Sequence, residues 1–434
     1  MKITLLEVYS KESNIIYKDF AGGLGPGFSV GKSIFSKAIE LAKKKGINLP
    51  IVTFGYLNSI LSKNGHTVER KINEVPDSDL VLIHSSLCDY KLEIEMAKNI
   101  KQKTKARVGF IGPLSSYQPD LFLESADFII KGEPEHVADR LSKDWPPDGI
   151  VESNDIEDLD ELPFPNWDFF PVNKTSYSPS LSVSPVLPVL SSRGCAHKCN
   201  YCPYLILYKN WRVRSEENVL NEIEYLVERY KIKGFVFRDP TFTLPMERAQ
   251  KIGEGLIKKK FQLKWACETR LDYLTIPLID ILYDSGLRVI NVGIETANEE
   301  ILKKSSRKFI NIEHQEKIIS YCDKKGINIT AFYILGWPND TMETIQQTLR
   351  YAKKLNTNVA GFTIYTPFPG TEAFEQFRDK FTTDDFSKFD AHHLIYKHDR
   401  FSADELYRIK ENAFLSYYYR PKYLIKFLQR KLRR

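Results

Sequence analysis

Between residues 185 and 375 the chain repeats one pattern. Six apolar runs, VLPVLSS, GFVFRDP, KWACETR, RVINVGIET, INITAFYILG and VAGFTIY, alternate with amphipathic stretches such as MERAQKIGEGLIKKK and TMETIQQTLRYAKKL. Runs that are apolar on both faces read as buried parallel strands, and helical spacing between them reads as crossover helices. The alternation predicts an α/β fold. Six strands are too few to close an eight-stranded barrel, so the expected architecture is an open, partial (β/α)6 barrel. Polar residues gather just after the strands, where barrels place their active sites.

Residues 1–144 show a second, looser alternation. KITLLEVY, DLVLIHSS, ARVGFIG and ADFIIKG read as strands, with helices between them. This predicts a Rossmann-like, doubly wound parallel sheet. Ligands of such sheets sit at the carboxyl ends of the strands, here Ser85-Ser86, Gly112-Pro113 and Gly132-Glu133. Residues 145–184 are rich in proline and acid (WPPDG, NDIEDLDELPFPNWDFFP) and read as a linker pinned by Trp167 and Phe169. Residues 376–434 read as a helical extension. Ser402 and Glu405 make a capping-box pattern there. In the last helix Leu424, Leu428 and Leu432 form one stripe, with Lys422, Lys426 and Arg430 roughly opposite.

The 434 residues are 42% hydrophobic and 27% charged, with a net charge of +6. That balance fits a soluble protein with an anionic small-molecule ligand and lacks the dense basic clustering of a nucleic-acid binder. The start, MKITLLEVYS, reads as a strand rather than a signal peptide. A cytoplasmic location is expected. The basic last helix has two readings: a solvated helix packed on the barrel, or a peripheral contact with an anionic membrane, which would point to a lipid-like substrate.

Of six cysteines, Cys195, Cys199 and Cys202 fall within eight residues, directly after the first barrel strand. Buried structural cysteines have no reason to cluster so tightly. Structural zinc prefers four protein ligands in paired half-sites, and no second pair exists in the sequence. Three thiolates can instead hold three irons of a [4Fe–4S] cube and leave the fourth open. A zinc-stabilised binding protein remains the non-enzymatic alternative. Cys267 and Cys322 lie in a strand and a helix and read as small core residues, and Cys88 as incidental.

The CxxxCxxC spacing, with Tyr201 before the last cysteine, resembles the radical S-adenosylmethionine (SAM) superfamily. FRDPTFT, TRLDYL, VGIET, FYILGWPNDT and YTPFPGT at successive strand ends, and LPFPNWDFFP before them, resemble its branch with an N-terminal cobalamin-binding domain. That resemblance implies a [4Fe–4S] cluster on Cys195, Cys199 and Cys202, with SAM on the open iron. It implies SAM contacts at Tyr201, Asp239, Arg270, Glu295 and Gly336, with Phe242 against the adenosyl group. Alternative roles are helix capping for Asp239, an Asp272 or Glu295 ion pair for Arg270, and plain core for the aromatics. Cobalamin is expected near Ser85, Ser86, Gly112, Gly132 and Glu133, although Pro113 removes a backbone donor there and no DxHxxG motif is present. The implied reaction is cobalamin-dependent methyl transfer to an unreactive carbon of a small-molecule or lipid-like substrate. Radical cyclisation, oxidation or rearrangement is the alternative. Either needs an electron donor such as flavodoxin or ferredoxin. The glycine cluster at 21–33 reads as a flexible segment at the domain interface, near the substrate, and His392, His393 and His398 as a polar surface or substrate loop.

Overall fold

A computed structural model describes residues 1–10, 18, 23–24, 28–44, 46–142 and 145–432. In the first half six strands form one parallel sheet: β1 (Lys2–Glu7), β2 (Thr67–Ile72), β3 (Leu80–His84), β4 (Arg107–Ile111), β5 (Phe128–Lys131) and β6 (Gly149–Glu152). Their order is β2-β1-β3-β4-β5-β6. The order reverses between β1 and β3, the switch point of a doubly wound sheet. Helices α1 (Ile34–Lys44), α2 (Val52–Lys63) and α3 (Tyr90–Lys103) connect or flank these strands. Every residue of β3 is buried, as its unbroken apolar run requires.

Two of these strands escape the sequence pattern. β2, TVERKI, lies at the sheet edge and is half-exposed along its length, so charged side chains are tolerated and no apolar period appears. β6 lies inside the stretch expected to be linker, yet it pairs with β5. The rest of that stretch is pinned as expected. Trp167 is fully buried, its ring lies against Gly55 of α2, where a Cβ would come within 2.5 Å of it, and its N–H donates to the Tyr230 hydroxyl at 2.8 Å.

The second half is the open barrel. Strand β7 (Val186–Val189) is followed by a small hairpin, β8 (Ser192–Arg193) with β9 (Arg212–Val213). Then come β10 (Gly234–Phe237), β11 (Lys264–Thr269), β12 (Leu287–Glu295), β13 (Asn328–Leu335) and β14 (Val359–Ile364). The sheet runs in sequence order from β7 through β10 to β14, all parallel, and does not close. Between the strands lie α4 (Glu216–Tyr230), α5 (Met246–Lys259), α6 (Ile276–Asp284), α7 (Ile312–Lys325) and α8 (Met342–Leu355). Ser215 caps α4 by accepting from the Asn218 N–H, which satisfies one of its orphan donors. The main core lies between these helices and the strands and includes Trp265, Phe235 and Tyr333.

A short helix, Glu372–Phe377, leads into residues 378–402, which hold only short 3-10 turns and one bridge, Phe381 to Tyr396. Two helices follow, α9 (Ala403–Tyr418) and α10 (Pro421–Leu432). The Ser402–Glu405 capping box is formed. Among the described residues no helix is long and apolar enough to cross a membrane.

The halves are joined by buried charge. Arg193 of β8 reaches Glu133 at 2.6 Å and Glu135 at 2.8 Å, and Arg212 of β9 also pairs with Glu133. Arg193 is sandwiched by the rings of Tyr56 and Tyr208.

Candidate active site

Strand β7 leads through Ser191 and β8 into the cysteine loop. The turn is possible because Gly194 has φ +72°, and a Cβ there would meet the Asn210 carbonyl at 2.3 Å. Cys195, Cys199 and Cys202 then all line one cavity of about 400 Å³ at the carboxyl ends of the barrel strands. The Cys195 sulfur accepts from the His197 N–H at 3.4 Å and lies 3.9 Å from the Thr241 hydroxyl. Burial raises the Cys199 thiol and pushes the Cys202 thiol up to about 12. Without a metal these sulfurs stay protonated; a bound cluster would displace the protons. Among the described residues no three His, Cys, Asp or Glu side chains are arranged about a single metal ion. Three thiols in eight residues, facing one chamber, are a donor set that could hold a cluster with an open iron.

Charged groups surround the thiols. Glu295, at the end of β12, has φ +66°, next to a register shift in the pairing of β12 with β13. A left-handed glutamate inside a strand is strained, and such strain collects at functional sites. Burial raises its pKa, and Arg307, at 3.5 Å, opposes that. Arg307 also donates to the Gly293 carbonyl at 2.6 Å. Arg270 binds Asp272 through two contacts of 2.9 and 3.0 Å, the ion pair foreseen as its alternative role. Its Nη1 is buried without a partner and the residue lines the cavity. Tyr201 lines the same wall, edge-on to Trp337 at 5.0 Å.

Three expectations are corrected. Asp239 does not face the chamber. It is fully buried and accepts from the Ser191 N–H and from the hydroxyls of Ser191 and Ser192, so it fixes the strand that carries the cysteines. Gly336 lies away from the cavity lining. Its φ of +72° and the approach of Leu406 require glycine, and its carbonyl accepts from Tyr396. Phe242 stacks on Phe237 at 4.1 Å in the core.

The rest of the cavity is mostly apolar, includes an aromatic wall and draws on the whole chain. Phe332 and Phe362 come from β13 and β14, Phe414 from α9, and Phe28 from the N-terminal half. His392 also lines it. His392 and His398 are buried, so the surface alternative is corrected, while His392 in the lining agrees with the substrate-loop alternative. Behind His392 the buried Lys410 ammonium lies 3.4 Å from its Nδ1, and burial lowers the Lys410 pKa to about 8. An ammonium has no acceptor, so a charged Lys410 donates and sets the His392 tautomer with its proton on Nε2. Sequence reasoning missed Arg307 and Lys410, because no local spacing marks a residue that topology alone brings to the chamber; Phe28 lies in the segment expected near the substrate. Of the glycine cluster, Gly23, Leu24 and 28–33 are described; the remainder lies outside the described residues.

At the carboxyl edge of the first sheet the polar side chains expected to meet cobalamin are engaged elsewhere. The Ser85 hydroxyl donates to Ser115, Ser86 bonds Glu93, and Glu133 holds Arg193 and Arg212. Gly112 and Gly132 both take positive φ, and a Cβ on Gly132 would meet the Ser153 carbonyl at 2.0 Å. His84 ends β3 with its Nδ1 buried and unpartnered, a ligand-facing signal that the sequence reading passed over. Beside His84 a small cavity of about 60 Å³ lies between the halves, lined by Lys18, Gly23 and Arg193. The Leu24 carbonyl accepts from the Leu87 N–H, and buried Lys18 pairs with Glu93 at 2.5 Å.

Residues 189–352 match the family described as the radical SAM superfamily. That match covers the barrel half of the chain, which therefore holds a radical SAM domain. Over 385 residues it is 29% identical to an uncharacterized methyltransferase of Pyrococcus horikoshii, covering 82% of each chain. It is 28% identical to the anaerobic magnesium-protoporphyrin IX monomethyl ester cyclase of Rubrivivax gelatinosus, over 73% of this chain and 61% of that one. Among solved structures it resembles the radical S-adenosylmethionine methyltransferase TsrM of Kitasatospora setae, determined with cobalamin and a [4Fe-4S] cluster bound. The TM-score is 0.63 at 16% identity, over 87% of this chain and 78% of that one. The chain therefore shares the two-part fold of that structure, and the match spans both its sheets.

Proposed function

We propose that this radical SAM enzyme transfers a methyl group to an unreactive carbon of a small, largely apolar substrate. One observation carries the reading: the three thiols share a chamber with Arg270, Glu295 and Arg307 at one end and an aromatic wall at the other. Cys195, Cys199 and Cys202 would hold the [4Fe–4S] cluster. When bound and reduced, that cluster supplies the electron that cleaves the sulfonium of SAM. The unpartnered Nη1 of Arg270 is placed to pair with the SAM carboxylate, and Glu295 with its amino group or ribose. Phe332, Phe362 and Phe414 exclude water from the reacting carbon.

The fold and the methyltransferase relatives support cobalamin as methyl carrier. A ring closure is the second reading, favoured by the cyclase relative.

Anaerobic reconstitution should give about four irons per chain and broad absorbance near about 400 nm. Cys199→Ala should lose both; a colourless wild-type protein with one zinc would refute the proposal. Turnover of a cell extract with SAM deuterated in its methyl group, followed by mass spectrometry, separates the two reactions. A product carrying the label means methyl transfer; an unlabelled product that has lost hydrogen means ring closure.

A further inference from the structure

The last helix is packed inside out. Lys426 and Arg430 face the protein, where both reach Asp323 of α7, at 2.9 and 2.6 Å, and the Asn356 carbonyl. Leu424, Ile425 and Leu428 of α10 face outward, 44, 57 and 60% exposed. An amphipathic helix on a globular protein normally does the reverse. The turn into this helix is fixed, since Arg420 donates to the Lys353 carbonyl at 2.5 Å and to the Asn356 side chain at 2.6 Å.

A second helix repeats the feature beside it. On α1, Ile34 is 85% exposed, Phe35 61% and Leu41 60%. This helix too is anchored through polar groups. The Ser33 N–H and the Ser36 hydroxyl both donate to Glu411 of α9, at 2.8 and 2.7 Å. The Phe35 ring meets Tyr419, at the junction of α9 and α10, edge-on at 5.5 Å. The two apolar faces are thus joined through an exposed tyrosine.

Charge selects the occupant. Residues 420–434 carry seven Lys or Arg and no acid, and the sequence has lysines at 43, 44 and 45. Lys422 and Lys37 are exposed at the patch. A second copy of this chain would bring the same positive charge against it. An anionic bilayer offers acyl chains to the leucines and headgroups to the lysines. We infer that α1 and α10 together dock this enzyme on an anionic phospholipid surface. The docked face adjoins the catalytic cavity through Phe28, just before α1, and Phe414 of α9.

The test is flotation of the full-length chain with phosphatidylcholine vesicles, with and without phosphatidylglycerol. Partition onto the anionic vesicles alone is expected. Leu424→Gln/Leu428→Gln and Ile34→Gln/Phe35→Gln should each weaken it at least about tenfold, and Lys422→Glu should weaken it with no apolar change. Ile257→Gln, an exposed apolar site on α5, should leave it unchanged. Thermal melts of each variant show whether it is folded; should a glutamine pair fail to fold, Lys422→Glu decides. Wild-type protein that floats with neither vesicle overturns the inference, as does partition indifferent to these substitutions. A concentration-dependent dimer that the same substitutions dissolve also overturns it, in favour of a second copy.

Discussion

Glu295 is held against its own backbone preference and against burial, with Arg307 beside it. Such a carboxylate is retained for what it binds, so Glu295→Gln should weaken SAM binding by about tenfold, near the 1.5 kcal/mol of a charged hydrogen bond. Calorimetry on the reconstituted protein measures this, and unchanged affinity would make Glu295 structural. Lys410 offers a titration. Its folded pKa of about 8 lies below the ordinary lysine value of 10.5, so the unfolded chain binds more protons between these values. Stability should therefore rise with pH across that window, and below about 8 the cost of the buried ammonium is fully felt. The wild-type urea midpoint should climb there relative to Lys410→Met; parallel curves would show that Lys410 does not titrate in the fold. That the three cysteines share one chamber was legible from sequence because it is written in local spacing. Arg307 and Lys410 were not, because each acts across the fold.

At the level of elements, a strand or helix was legible where its neighbours bury it. The apolar run of β3 and the caps Ser215 and Ser402 announce themselves. β2 and β6 carry charge or lie among prolines and needed the sheet to reveal them. The leucine stripe of α10 was legible as a stripe, but its direction was not, since Asp323 lies in a distant helix. Helix α1 depends on Glu411. Burial raises that carboxyl, but hydrogen bonds from Ser33 and Ser36 outweigh it and hold its pKa at about 2. The docking contribution is present above the ordinary value of 4.5 and is lost as pH falls through about 2. At neutral pH, Glu411→Gln should speed amide exchange across 33–41 by about tenfold, from the lost charge-assisted bonds. Exchange no faster than wild type would mean that other contacts hold α1.

The molecule as a whole is two sheets clamped by one arginine. Arg193 lies two residues before Cys195, so the contact that joins the halves also sets the cluster loop. Its partners Glu133 and Glu135 are buried, and burial raises Glu135 against the pull of Arg193. Glu133 was expected at a cofactor, and its strand-end position was right; the sequence gives no sign that a hairpin from the other half would claim it. Arg193→Met would strip Glu135 of its counter-charge and leave Glu133 with Arg212 alone. Removing one partner of a buried pair costs about 3–5 kcal/mol, while burying a neutral methionine between Tyr56 and Tyr208 recovers little. Urea unfolding should show that loss and split into two transitions, as the halves cease to melt together. The reconstituted variant should also hold less iron, because the loop entering at Gly194 loses its anchor. Adding Glu133→Gln and Glu135→Gln should restore part of the stability, since it removes the stranded charges, without restoring the iron. A single unfolding transition with less than about 1 kcal/mol lost would show that the clamp contributes no more than a surface ion pair, and that the halves are held by their apolar contacts alone.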